Sequence, residues 1–273
     1  MTRIDRRALF ASGAAAALLT ATGGSLADTP KTGGKLRLAV PRDDSLELLA
    51  RGAVFDTLTE VAPDGTLRGE LAVAWQTEEQ ARVWNFDLRG DAMFHDGIPL
   101  HVDDVVAVLA EIGRVEALAP DRVRLELVEA NPGLPFLLAD SRFVVTRGGQ
   151  GVTPLHRASG TGCYRVERAN DSHHFLGRRV AGHYKDGQAG WVDALEIIVI
   201  PDARVRAEAL RDGYVDIAAL PESDELKGQR GLRYHPGETD VMLAVAAHVG
   251  MPRQIGKGGA LDDGRIAERW WLA

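Results

Sequence analysis

Ala194-Leu195-Glu196-Ile197-Ile198-Val199-Ile200 is a strongly apolar strand, and the segment after it sets the fold class. Asp202 is placed to cap a helix over Ala203 to Asp212, because its side-chain oxygen can accept from the first-turn N–H groups. Gly213 supplies the C-terminal stop, and Val215 to Ala218 returns as a short strand. Outward from this strand–helix–strand unit, most other strands are joined by turns. Tyr164 to Glu167 and His174 to Arg178 read as a hairpin around Asn170-Asp171. Lys35 to Val40 alternates polar and apolar residues, and so does Trp84-Asn85-Phe86-Asp87-Leu88, which puts Trp84, Phe86 and Leu88 on one face. Val123 to Leu127 is a further alternating strand, and Asp64-Gly65 and Asp96-Gly97 mark turns. Helices are expected over Ser45 to Leu58, Val102 to Ile112 and, briefly, Leu134 to Ala139. Hairpins with irregularly interspersed helices indicate an α+β fold with a mixed sheet rather than a regularly alternating parallel one.

Composition agrees with a globular domain. Apolar residues make up 45% and charged residues 26% of the 273, so a core can be built and disorder is excluded. The formal net charge of −7 argues against a nucleic-acid partner, which calls for a basic face. The single cysteine, Cys163, excludes an internal disulfide and a Cys-rich zinc site. At the N-terminus, Arg3, Arg6 and Arg7 precede an apolar run from Ala8 to about Thr22, and Ser25-Leu26-Ala27 is a small-x-small cleavage site. That order is an export signal, short of the roughly 20 residues that span a bilayer. The Arg6-Arg7 pair gives it twin-arginine character, so the expected location is the periplasm, with cleavage near Ala27.

Catalytic machinery is not evident. The sequence has no Gly-x-Ser-x-Gly elbow, no phosphate-binding Gly-Lys-Ser/Thr loop and no His-Glu-x-x-His. Gly148-Gly149-Gln150-Gly151 lacks the strand–loop–helix frame of a nucleotide site. His173 and His174 are adjacent, and on a strand they point to opposite faces, which is unsuited to one metal ion. Cys163 reads as a small residue beside a packed Tyr164, and His95 as a backbone-bonding turn residue. The expectation is a binding protein, not an enzyme, with no cofactor and no metal.

Several motifs follow one another along the chain: Val54-Phe55-Asp56-Thr57-Leu58, Pro63-Asp64-Gly65-Thr66, Leu71-Ala72-Val73-Ala74-Trp75, Trp84 to Arg89, and Met93-Phe94-His95-Asp96-Gly97-Ile98-Pro99-Leu100. Further on come Asp103-Asp104-Val105-Val106, Gly160-Thr161-Gly162-Cys163-Tyr164 and Ala209 to Ile217. In order and spacing they resemble the family 5 solute-binding proteins of peptide and nickel ABC importers, with Cys163 where the family has proline. His101 departs from the family's threonine cap. The resemblance implies lobe one of a type II-like periplasmic binding fold, with an export signal at 1–27, solute-binding lobe one at 28–220, and a shortened remnant of the second lobe plus a C-terminal return segment at 221–273. Only 55 residues come after Ala218, and the ending Gly264 to Trp271 resembles a return to lobe one.

The resemblance also implies a function and a site. The family pocket lies at the lobe interface, after the first strand and before the Gly-Thr-Gly motif. Here those places hold Arg42, Asp43, Asp44 and Ser45, and Arg142; Thr161 and Tyr164 are expected in the same cleft. Arg142 resembles an arginine that contacts an anionic ligand group, for which a planar guanidinium is suited. The expected ligand-binding residues are therefore Asp44, Ser45, Arg142, Thr161 and Tyr164. The expected function is a periplasmic solute-binding protein of a peptide-type ABC import system, with a peptide or small solute as ligand and an ABC permease as partner. The alternative is a single-lobe, non-transport module (scaffold, chaperone or sensor) that meets an exported protein, or a second copy of itself, through the face the other lobe would cover.

Overall fold

The computed structural model describes residues 29–151, 154–170, 173–221, 231–235, 241–252, 261 and 264–273. The expected export signal, Asp171 of the expected turn and most of the glycine-rich stretch 250–264 lie outside these residues. Residues 31–273 form one unit, which holds every strand and helix described.

The first strand, β1 (Lys35–Val40), leads into helix α1 (Asp43–Val54). A long excursion comes next. It contains the hairpin β2 (Thr59–Val61) and β3 (Leu67–Gly69), then β4 (Ala72–Glu78), β5 (Val83–Leu88), α2 (Val102–Leu109), β6 (Arg114–Ala119), β7 (Arg122–Glu126) and the short α3 (Leu134–Leu137). The chain then returns through β8 (Tyr164–Asn170), β9 (His174–Arg179), β10 (Ala194–Val199), α4 (Ala203–Arg211) and β11 (Ile217–Pro221). It closes with β12 (Leu232–His235), β13 (Val241–Ala246), β14 (Val249–Gly250), α5 (Ile266–Arg269) and β15 (Trp271–Leu272).

Seven of these strands form one mixed sheet in the order β12-β13-β11-β1-β10-β9-β8. β1 is its centre, parallel to β10 with Leu38 opposite Ile197 and parallel to β11 with Leu38 opposite Ile217; the other pairs are antiparallel. The period-2 alternation of β1 serves both faces. Leu36, Leu38 and Val40 face one core with Leu46, Leu49, Ala50 and Ala53 of α1, whereas Ala39 faces the other core with Leu210 at the end of α4. The excursion makes its own four-stranded antiparallel sheet, β4-β5-β7-β6, and its own core. Trp84, Phe86 and Leu88 of β5 pack there with Val105 and Leu109 of α2, as their alternation requires.

Local capping signals are realised in the fold. Asp202 caps α4 by accepting from the N–H groups of Arg204 (2.8 Å) and Val205 (3.2 Å). His101, the departure from the family cap, is nevertheless a cap: its Nδ1 accepts from the Asp103 N–H, and the Asp104 carboxylate accepts from the His101 N–H at 2.9 Å. The helix expected to reach Ile112 stops at Leu109, and the chain turns into β6. The β4–β5 connection is a left-handed turn in which Glu79, Gln80 and Ala81 all have positive φ, held by Trp84 Nε1 and the Asn131 N–H, both donating to the Ala81 carbonyl.

Candidate functional site

The fold itself marks one place on the central sheet. The chain leaving β1 turns to one face as α1, and the chain leaving β10 turns to the other face as α4 before it crosses to β11. Where neighbouring parallel strands send their connections to opposite faces, a crevice opens outside the strands' carboxyl ends, and ligands of open α/β sheets bind there. In this chain the corresponding place is where residues 41–45 leave β1 and residues 200–202 leave β10, the two joined by the Ile200 N–H donating to the Val40 carbonyl at 2.9 Å.

The two sides of the crevice differ. On the β10–β11 side, Arg206 of α4 is buried, and its guanidinium donates to the carbonyls of Ala219 (2.6 Å), Ile200 (2.5 Å) and Pro201 (2.9 Å). Burial lowers the affinity of Arg206 for its proton, with Asp202 acting the other way, and three carbonyl acceptors compensate the cation. This arginine closes off the polar strand ends. No sequence motif singles it out; the available cue is an arginine four residues after a capping aspartate. On the β1 side the groups are exposed. Arg42 Nε lies 3.1 Å from Asp44 Oδ1 in a solvent-facing pair, and the Ser45 hydroxyl, itself buried, lies 3.3 Å from the same oxygen. Arg42 gives the first turn of α1 no side-chain cap, and a helix start of that kind is suited to an anionic group.

The other expected site residues lie elsewhere. Arg142 is exposed and held by its neighbour, its Nε 3.0 Å and Nη2 3.3 Å from the Asp140 carboxylate, in a short turn that touches α1. Asp140 raises the proton affinity of Arg142. Thr161 and Tyr164 are wholly buried. They stand where the Gly162 N–H donates to the Val54 carbonyl at 2.9 Å, at the C-terminal end of α1. Ser45 is at the opposite end, about 13 Å away along a helix rising 1.5 Å per residue. The five residues therefore do not form one cluster: Asp44 and Ser45 stand together at the start of α1, and Thr161 and Tyr164 are buried at its other end.

Two histidines clamp the Gly160–Cys163 turn. His95 Nε2 is 2.8 Å from the Gly162 carbonyl and His183 Nε2 is 2.7 Å from the Thr161 carbonyl. The Lys185 N–H donates to His183 Nδ1 at 3.1 Å, which fixes Nε2 as the protonated nitrogen. Burial pushes the His95 imidazole toward its neutral form, against its bond to Gly162. Cys163 Sγ lies 3.8 Å from His183 Nδ1, but burial, reinforced by Glu268, keeps the thiol protonated well above its ordinary value. The pair is packing, not an activated nucleophile.

Next to this turn lies a dense buried ion cluster. Glu70 accepts from the Thr57 N–H (2.8 Å), from Lys185 Nζ and from both Nη atoms of Arg265. Lys185 Nζ also lies 3.4 Å from Asp56, 3.5 Å from Glu268 and 3.6 Å from Glu60. Arg269 donates to Glu60 at 2.8 Å and to the Val61 carbonyl at 2.7 Å. The cluster joins three sequence-distant pieces: residues 56–70, the turn at 183–185, and α5 with the preceding Arg265.

Comparison with known proteins agrees with this architecture. Residues 109–242 match the family described as bacterial extracellular solute-binding proteins, family 5 Middle. The chain is similar to the probable D,D-dipeptide-binding periplasmic protein DdpA of Escherichia coli K12, with 22% identity over 208 residues, 70% of this chain and 37% of that protein. It is similar also to the nickel-binding periplasmic protein of the same organism, with 24% identity over 234 residues, 73% of this chain and 44% of that protein. Among solved structures it is similar to the ABC transporter-associated periplasmic binding protein DppA from Helicobacter pylori in complex with the peptide STSA, at TM-score 0.67 and 17% identity, covering 76% of this chain and 51% of that one. The chain spans less than half the length of the two curated relatives. The mixed sheet with its excursion is the fold of periplasmic binding proteins over about three quarters of the chain.

Proposed function

We propose, from the match of residues 109–242 to the family 5 extracellular solute-binding proteins, that the chain is the exported, solute-binding component of a peptide-type ABC import system. The observation that carries this reading is the exposed cation–anion pair, Arg42 and Asp44, at an uncapped helix start beyond the carboxyl end of the central parallel strand β1. A short peptide is a zwitterion. Its ammonium group suits Asp44, and its carboxylate suits Arg42 and the first turn of α1. Ser45 sets the position of Asp44 through its hydroxyl. Arg142 is an outer anion contact next to α1, and Thr161 and Tyr164 act by fixing the far end of that helix. An ABC permease is the partner that fits such a component, and the periplasm its compartment.

A thermal-shift panel tests the reading. The protein is heated with L- and D-dipeptides, with longer peptides and with nickel–histidine. A solute that binds only the folded chain, present at about 100 times its Kd, adds about 2.7 kcal/mol of stability. The expected result is an upward shift with at least one peptide and none with the same peptide lacking its terminal charges. A protein that folds but shifts with no member of the panel overturns the proposal and leaves a protein partner as the remaining reading.

A further inference from the structure

The ion cluster carries a charge imbalance. Its outer pair is Glu60 with Arg269, and Glu60 lies 3.6 Å from Lys185 as well. Inside it, among the described residues, three buried carboxylates (Asp56, Glu70 and Glu268) face two buried cations, Lys185 and Arg265. A lone extra charge sealed from water is costly, and a carboxyl group in that position takes a proton instead.

Geometry selects which carboxyl is the odd one. Glu70 accepts from one backbone N–H and from Lys185 and Arg265, donors that demand an anion; burial pushes its proton affinity up, but those charge-assisted bonds act directly on its oxygens. Asp56 accepts from Lys185 at 3.4 Å. Against the burial that would raise it, Lys185 and Arg265 hold Asp56 well below the carboxylate range. Glu268 differs from both. Its Oε2 stands only at ion-pair range, 3.5 Å from Lys185 and 3.9 Å from Arg265, and its Oε1, like Asp56 Oδ2, has no hydrogen-bond partner among the described residues, whereas Asp56 Oδ1 is bonded to Lys185. Among the described residues, the titratable and charged groups that act on it are Lys185, Arg265, Asp56 and Glu70, with Cys163 and Tyr164 at the start of β8; Glu60, Arg269, His183 and Tyr184 lie around Lys185, Asp56 and Glu60, and burial holds His95, beyond Asp56, toward its neutral form.

We infer that the cluster is completed by one proton: Glu268 remains a neutral carboxyl group in the folded protein near neutral pH, and residues 265–269 form a latch on the lobe that loosens as that proton leaves. Burial, partly offset by Lys185 and Arg265, pushes the Glu268 carboxyl up to about 8. The folded form thus binds a proton that the unfolded chain has already released above the ordinary carboxyl range. Stability therefore falls with rising pH and has lost this contribution once the pH exceeds about 8.

Two measurements test it. In the first, infrared spectra are recorded across the alkaline range. The expected result is a protonated-carboxyl band that titrates away near pH 8 and is absent from Glu268→Gln. In the second, proton release on urea unfolding is measured between about pH 7 and 8.5, above the ordinary histidine range. Near the lower end the wild type is expected to release close to one proton more than Glu268→Gln, and the variant, which keeps the neutral shape, is expected to lose less stability across the window. Should Glu268→Gln fail to fold, the band and the proton count of the wild type alone decide. Absence of the band at neutral pH, or unfolding without proton release there, overturns the inference.

Discussion

Lys185→Met is expected to lower the unfolding free energy by about 3–5 kcal/mol, the range found when one partner of a buried ion network is removed. Lys185 is buried and is the cation placed within 4 Å of four carboxylates, on Asp56, Glu60, Glu70 and Glu268. Methionine fills the volume but leaves Arg265 as the inner cation facing both Asp56 and Glu70. That loss is a large part of a typical domain's total stability of about 5–15 kcal/mol. Urea unfolding at neutral pH measures it. The double variant Lys185→Met/Glu70→Gln, which removes an anion with the cation, should recover part of the loss, because the penalty is the unpaired charge and not the missing side chain. Lowering the pH toward the ordinary carboxyl range should shrink the deficit of the single variant, since its unpaired carboxylates then take up protons. A loss under about 1 kcal/mol would mean that the network is solvated and contributes as a surface pair does.

Gly160→Ala is expected to cost about 3 kcal/mol, the upper part of the overpacking range. A Cβ on Gly160 would stand 2.0 Å from the Val54 carbonyl oxygen and 2.7 Å from Phe55 Cδ1. The clash is with the backbone at the end of α1, which no rotamer change relieves. That carbonyl also accepts the Gly162 N–H, and the Gly160 carbonyl accepts the His95 N–H, so displacement spreads to both sides of the turn. Gly90→Ala is the control: its Cβ meets nothing within 4 Å and its φ is not positive, so stability should change by no more than about 0.5 kcal/mol. Equal effects at the two positions would show that the close approach at Gly160 is not what the glycine is for.

These two sites also separate what is legible in the chain from what is not. β1, β5 and β10 are legible because each carries its pattern within six residues: alternation on β1 and β5, a continuous apolar run on β10. α4 is legible because a cap and a stop stand at its ends. The Gly160-Thr161-Gly162 motif is legible as a tight path, although what it passes, the end of α1, is not. β4 escapes detection as a strand because six of its seven residues are not buried, so no apolar face alternates along it. β6 escapes for the same reason, and the helix before it is three residues shorter than its sequence suggests. The ion cluster has no local signature at all. Glu70 and Arg265 are 195 positions apart, and only the folded chain brings them together. The one cue is a set of charged residues, Arg265, Glu268 and Arg269, placed among Ile266, Ala267 and Trp270, all of which are buried. Of the expected site, the position of Asp44 and Ser45 just beyond a central parallel strand can be read from the sequence, and that is the position on which the proposed binding place rests. That Thr161 and Tyr164 are buried at the other end of α1 depends on the excursion between α1 and β8, whose path no local pattern reports.

The central claim is that the crevice after β1 is where a solute binds, and backbone amide NMR on the labelled protein tests it most directly. A dipeptide, or the strongest member of the thermal-shift panel, is titrated to saturation while the resonances of residues 42–45 and 200–202 are tracked. The expected result is saturable shifts concentrated in those two segments, with Asp44→Lys weakening the interaction about tenfold, the loss of about 1.4 kcal/mol expected for one charge-assisted contact. Saturable shifts centred elsewhere, or affinity unchanged in Asp44→Lys, would contradict it.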